Sequence, residues 1–180
     1  IKCDQTEITY QPLLAIWAIQ IAICCGWYRK RRPTKLPDIF QEDDFASLTG
    51  IVPPVETDED GDIKIMSNSY SKLTDTKLLT LLKSRLTQLG KEDLPNDLPL
   101  FSNVEIIGDI VGLSKTEKSL LIFAIALTSF PEFRKVIEAQ SHSVSTSDLA
   151  KVLAATLNLP KSEIVEALRD DALLSLTGII

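Results

Sequence analysis

The stretch Ser114-Lys115-Thr116-Glu117-Lys118-Ser119-Leu120-Leu121-Ile122-Phe123-Ala124-Ile125-Ala126-Leu127 decides the fold. Its opening is a capping box: Ser114 can accept from a backbone N–H three residues on, and Glu117 can reach back, so a helix starts here. Behind it, residues 120–127 are all apolar. A helix apolar on every side must be enclosed by others, so this one is expected at the centre of a helical bundle.

Working outward, the neighbours are helical too. Leu78, Leu79, Leu82, Leu86 and Leu89 recur at helical spacing and Gly90 closes the run. After a proline-punctuated loop over 91–99, Val104, Ile107 and Val111 give a helix ending at Gly112. Pro131 opens another, carrying Phe133, Val136 and Ile137. Residues 43–48 make a short helix stopped by Gly50, and Pro12 is expected to open a helix running to Cys25 and Gly26. Residues 51–72, with Pro53-Pro54 and the acidic stretch 56–62, read as a linker or mobile loop. A hairpin turning at Asp60-Gly61 is the weaker alternative, since only the Ile63-Lys64-Ile65 flank alternates. Three regions result: an N-terminal helical segment (1–50), the acidic linker (51–72) and a bundle (73–180).

The bundle ends in a recognisable unit. Ser145-Thr146-Ser147-Asp148 starts a helix with a stripe of Leu149, Val152, Leu153 and Leu157. Asn158-Leu159-Pro160 turns the chain into a second helix expected to bury Ile164, Val165 and Leu168, and 173–180 then leads towards a strand. Helix, short turn, helix and strand is the pattern of a winged helix-turn-helix, its wing falling beyond Ile180. The fold expected is therefore all-α, a helical bundle with a C-terminal winged-helix-like helix-turn-helix.

Composition bounds the chemistry. The chain has 180 residues, is 44% hydrophobic and 24% charged, and carries a net charge of −6, which argues against a nucleic-acid binder with a broad basic face. Residues 161–171 hold two cations and four anions, so the second helix of the turn would be repelled by phosphate. One His and three Cys form no cluster with metal-ligand spacing, and the unpatterned cysteines suit small buried hydrophobes in a reducing compartment. His142 between Ser141 and Ser143 is an exposed loop residue rather than a catalytic base. The carboxylates of 56–62 do not follow the order of a calcium loop. The apolar run 13–27, followed by Arg29, Lys30, Arg31 and Arg32, has the flanks of a membrane anchor but is short for one; a core helix in a cytoplasmic protein is expected. No catalytic, cofactor or metal residues are assigned. The candidate partner-binding residues are Arg29, Lys30, Arg31 and Arg32, which could dock on an acidic surface including 56–62, and Lys161, Glu163, Glu166 and Arg169 on the second helix.

Three groups of residues also carry a resemblance. Pro12-Leu13-Leu14-Ala15-Ile16-Trp17 through Gly26-Trp27-Tyr28-Arg29, Asn103-Val104 through Gly112-Leu113-Ser114-Lys115-Thr116-Glu117-Lys118, and Asn158-Leu159-Pro160-Lys161-Ser162-Glu163-Ile164 with Gly178-Ile179-Ile180 occur in that order. The sequence resembles the N-terminal helical, winged-helix-like region of long bacterial AAA+ ATPases over most of its length apart from 51–71. That resemblance implies a non-catalytic domain that recruits a protein substrate or adaptor, or organises the ring, beside the ATPase module of its own chain. ATP and magnesium would belong to the parent protein, because no G-x-x-x-x-G-K-[ST] loop occurs here. A start at Ile1 and a stop inside an apolar run match the expectation of a longer parent. The alternatives are a winged-helix nucleic-acid-binding regulator, supported electrostatically only by 29–32, and a membrane-anchored cytoplasmic adaptor.

Overall fold

The computed structural model describes residues 5–26, 42–51, 56–57, 63–64, 74–92, 98–141 and 146–176. Helix α1 (Gln5–Cys24) begins well before Pro12, which therefore sits inside the helix rather than opening it. The proline costs the bond that its N–H would have made to the carbonyl of Ile8, but flanking turns rich in buried apolar residues keep the helix continuous. Gly26, at φ +69°, ends it. Helix α2 (Glu42–Thr49) stops at Gly50, whose φ of +68° is a left-handed conformation that suits glycine.

A two-residue antiparallel ladder, β1 (Glu56–Thr57) with β2 (Ile63–Lys64), pairs Glu56 with Lys64 and Thr57 with Ile63. The hairpin that the Ile63 flank hinted at thus has its ladder; its turn at Asp60-Gly61 and most of 51–72 lie outside the described residues. Helix α3 (Asp75–Leu89) is capped by Thr74, whose Oγ1 accepts from Lys77 N at 3.3 Å. It buries Leu78, Leu82 and Leu89. Arg85 of this helix donates from Nε to the carbonyl of Thr49 at 2.8 Å, tying α3 to the end of α2.

Helix α4 (Pro99–Val111) has proline at its first position and no side-chain cap from Leu98. The missing cap comes from across the fold: the Tyr10 hydroxyl accepts from Leu100 N at 3.0 Å. Its C-terminus closes on Gly112 at φ +86°, with Gly112 N and Leu113 N both donating to the Gly108 carbonyl at 2.8 Å. Helices α5 (Lys115–Ser129), α6 (Pro131–Ser141), α7 (Thr146–Leu157), α8 (Lys161–Ala167) and α9 (Leu173–Leu176) complete the described chain. Apart from the short ladder, the described residues are all-α.

Two helices organise the packing. Helix α1 packs on α2, α3, α6 and α7, whereas α5 packs on α4, α6, α8 and α9. The expected single centre at 120–127 is therefore shared, because α1 is longer than its apolar run suggested and buries Leu14, Ala18, Ile19 and Ala22 almost completely. Aromatic rings join the two hubs: Trp17 of α1 lies 5.3 Å from Phe123 of α5 and 6.1 Å from Phe133 of α6, centroid to centroid. Edge-to-face contacts of this kind add about 0.5–1.5 kcal/mol beyond the area they bury.

Several faces point otherwise than the periodicity implied. Ile107 of α4, Leu149 of α7, and Val165 and Leu168 of α8 or its end are exposed. Helix α8 buries Ile164 and Ala167 instead. Residues 173–176 form the helical turn α9, not a strand entrance; residues 177–180 are outside the described set. Among the described residues no helix is long and apolar enough to cross a membrane.

Candidate functional site: an acidic cleft between the start of α5 and α8

The turn between α7 and α8 has a physical cause. Asn158 takes a left-handed φ of +53°, and Leu159 N donates back to the Ala154 carbonyl at 2.9 Å, closing α7. Asparagine tolerates that conformation better than most residues. Pro160 then precedes the first turn of α8, where Glu163 supplies an acid at the positive helix end.

Helix α8 and the turn after it face the N-terminus of α5 across an open cleft of about 520 Å³. On the α5 side stand Ser114, Thr116 and Glu117; on the other stand Glu163, Glu166 and Arg169. Thr116 Oγ1 donates to Glu163 Oε2 at 2.6 Å, joining the two walls directly. Arg169 is turned to Asp171, with Nε at 3.0 Å and Nη2 at 3.3 Å from the two carboxylate oxygens. That pairing neutralises the cleft's cation and leaves Glu163 and Glu166 to set its field.

The floor is built on Glu117, buried although ionisable. The expected capping box is complete: Glu117 N donates to Ser114 Oγ at 3.2 Å, and Ser114 N donates to Glu117 Oε2 at 2.8 Å. Burial alone would raise this carboxyl's pKa. Hydrogen bonds from the backbone and hydroxyl of Ser114, and from the backbone amides of Leu174 and Leu173, outweigh it and hold the pKa below the ordinary glutamate value. One side chain therefore caps α5 and also anchors the start of α9.

Beside the cleft, Lys118 clamps α4 to α5. Its Nζ donates to Glu105 at 2.7 Å and to Asp109 at 2.6 Å. Asp109 first, then Glu105, hold this ammonium above the usual lysine value. Its stem crosses Gly108, where an added Cβ would lie 2.5 Å from Lys118 Cε. Glycine there leaves room for the Lys118 stem to lie across α4.

The candidate residues thus divide. Glu163, Glu166 and Arg169 line the cleft; Lys161 is exposed at the start of α8 and does not. Arg29, Lys30, Arg31 and Arg32, together with His142 and the acidic tip 58–62, lie outside the described residues. Thr116, Glu117 and Asp171 were absent from the sequence-based site. The capping-box signal marked Glu117 as a helix start, but nothing local in the sequence pairs Thr116 with Glu163, 47 positions away.

Cys24 and Cys25 end α1 against α7. Cys24 is exposed, contrary to the buried role expected. Burial raises its thiol pKa against the opposing charge of Lys151. Burial, then the neighbouring Cys24 and Asp148, push the Cys25 thiol up to about 11. Both are therefore protonated, and weak nucleophiles, at neutral pH. Among the described residues no group of three or more His, Cys, Asp or Glu could hold a metal ion.

Glu117, Glu163 and Asp171 of this site are engaged in a cap, a cross-wall bond and an ion pair, an arrangement suited to presenting a surface. No family model, curated protein or solved structure matches the chain. Among the described residues, fold and site define a helical domain in which α8 and the turn after it border an acidic cleft.

Proposed function

We propose that the chain is a non-catalytic N-terminal domain of an AAA+ ATPase, which recruits a protein substrate or adaptor, or holds the ring in register. In this reading residues 145–180 belong to a winged-helix-like unit turned to protein contact, and the parent works in the cytoplasm. The observation that carries it is the surface of α8 and its end, where exposed Val165 and Leu168 lie on one side and Glu163 and Glu166 line the cleft on the other. An apolar and acidic surface suits a protein partner and repels the phosphates that a nucleic-acid reader must contact. The resemblance to AAA+ N-terminal regions supplies the placement ahead of an ATPase. ATP and magnesium would be held by that module, through a phosphate-binding loop which this sequence lacks.

The test is the mass of the native polypeptide, by immunoblot with antibodies to this domain and peptide mapping by mass spectrometry. The expected result is a chain several times 19.9 kDa that continues past Ile180 into a phosphate-binding loop. A native mass near 19.9 kDa, or ATP turnover by the 180-residue chain itself, would contradict the reading.

A further inference from the structure

Helix α4 carries the two most exposed large hydrophobic residues among those described, Ile110 at 80% and Ile106 at 60%, with Ile107 at 47% beside them. The spacing puts all three on one stripe, with Asn103 between them on the helical wheel. The opposite side of the helix is spoken for. Val104 and Gly108 are buried, and the Lys118 stem crosses Gly108. Rotating the isoleucines inward would therefore break an existing close approach. Both ends are also fixed, by the Tyr10 hydroxyl at Leu100 and the closing bonds at Gly108. The result is a rigid, pre-formed helix with an apolar outer stripe.

Charge decides what can cover it. Residues 99–111 contain Glu105 and Asp109 and no cation. Asp109 lies about 60° around the helix from Ile106, so the acids form one rim of the stripe. Lys118 is shared between both acids, leaving one negative charge in excess along that rim. A second copy docking by the same face would bring like rims together, and an anionic membrane would be repelled. We propose that this face is a docking surface for a cationic amphipathic helix of a partner protein, whose apolar stripe covers the isoleucines and whose Lys or Arg residues meet the acid rim. The proposal rests on the reading of the chain as an interaction domain and adds where, and by what chemistry, a partner is held.

The probe is a fluorescein-labelled Leu/Lys amphipathic peptide of about 18 residues, five turns of helix, compared with a Leu/Glu peptide of the same apolar stripe. Fluorescence anisotropy with the 180-residue chain should show the Leu/Lys peptide binding at least about tenfold more tightly, with weakening as salt rises. Ile110→Ser, at a position exposed enough to leave the circular dichroism and Tm unchanged, should weaken it by about tenfold or more. Leu81→Ser, at an exposed position of α3, should not. No binding, equal binding of the Leu/Glu peptide, or equal loss in the two serine variants would overturn the proposal. So would dimerisation, or attachment to phosphatidylserine vesicles, that Ile110→Ser abolishes. A large parent polypeptide whose domain ignores the Leu/Lys peptide would refute the docking surface alone, whereas a native mass near that of this chain would refute the AAA+ reading alone.

Discussion

The two halves of α5 do different work. Its C-terminal half is apolar, with Leu120, Leu121, Ile122, Phe123 and Ala126 buried among the other helices and Phe123 edge-to-face with Trp17 and Phe133. Its N-terminal end is polar. Ser114, Thr116, Glu117 and Lys118 bond to α4, α8, α9 and the helix's own first turn. Apolar burial is non-directional and scales with area, so the C-terminal half supplies stability without fixing which loop lies where. Hydrogen bonds to a buried carboxylate are directional and costly to leave unmade, so the N-terminal end sets the position of the cleft.

The sharpest break of the packing around the apolar half is Phe133→Ala, on α6. Phe133 has no exposure and its ring lies 5.8 Å from that of Phe123. Its loss should destabilise the fold by about 3–5 kcal/mol in urea or thermal unfolding, with a changed Trp emission as Trp17 loses its neighbour. Glu117→Gln strikes the polar half and should cost about 1–3 kcal/mol at pH 7, with α1 and α6 left in place.

The same substitution gives a pH signature. Because the folded pKa of Glu117 is lowered, its stabilisation is fully present above the ordinary glutamate value and is lost as pH falls through the folded value. The deficit of Glu117→Gln against wild type should thus shrink as pH is lowered from about 5 towards 3. A deficit that stays constant over that range would mean the carboxylate's charge is not what matters. Gly50→Ala comes next. It forces a left-handed residue and brings a Cβ to 3.0 Å from Arg85 Nη2, for about 1–2 kcal/mol. Val165→Ser, on an exposed face of α8, should change stability by no more than about 0.5 kcal/mol, and a larger loss would mean that this face is covered.

Much of this was legible in local sequence. Ser114 and Glu117 announced a capped helix start, Gly112 and Gly50 marked helix ends, and Asn158-Leu159-Pro160 marked the turn between two helices. Each depends on chemistry within a few residues. What failed depends on what lies across the fold. Pro12 looked like a helix start because proline is favoured there, yet burial of the residues around it carries α1 through. Ile107, Val165 and Leu168 sit at apolar helical positions, but periodicity gives a face and not the neighbour that covers it. The bonds from Leu173 and Leu174 to Glu117, like that from Thr116 to Glu163, join residues dozens of positions apart. The three-residue spacing within the capping box was visible; the second use of the same carboxylate was not.

Amide hydrogen exchange, residue by residue, on wild type and Glu117→Gln bears most directly on this division. If the polar end positions the cleft while the apolar half holds the fold, protection should fall at Leu173 and Leu174 and stay unchanged over residues 120–126. A uniform loss of protection across α5, or unaltered protection at Leu173 and Leu174, would contradict it.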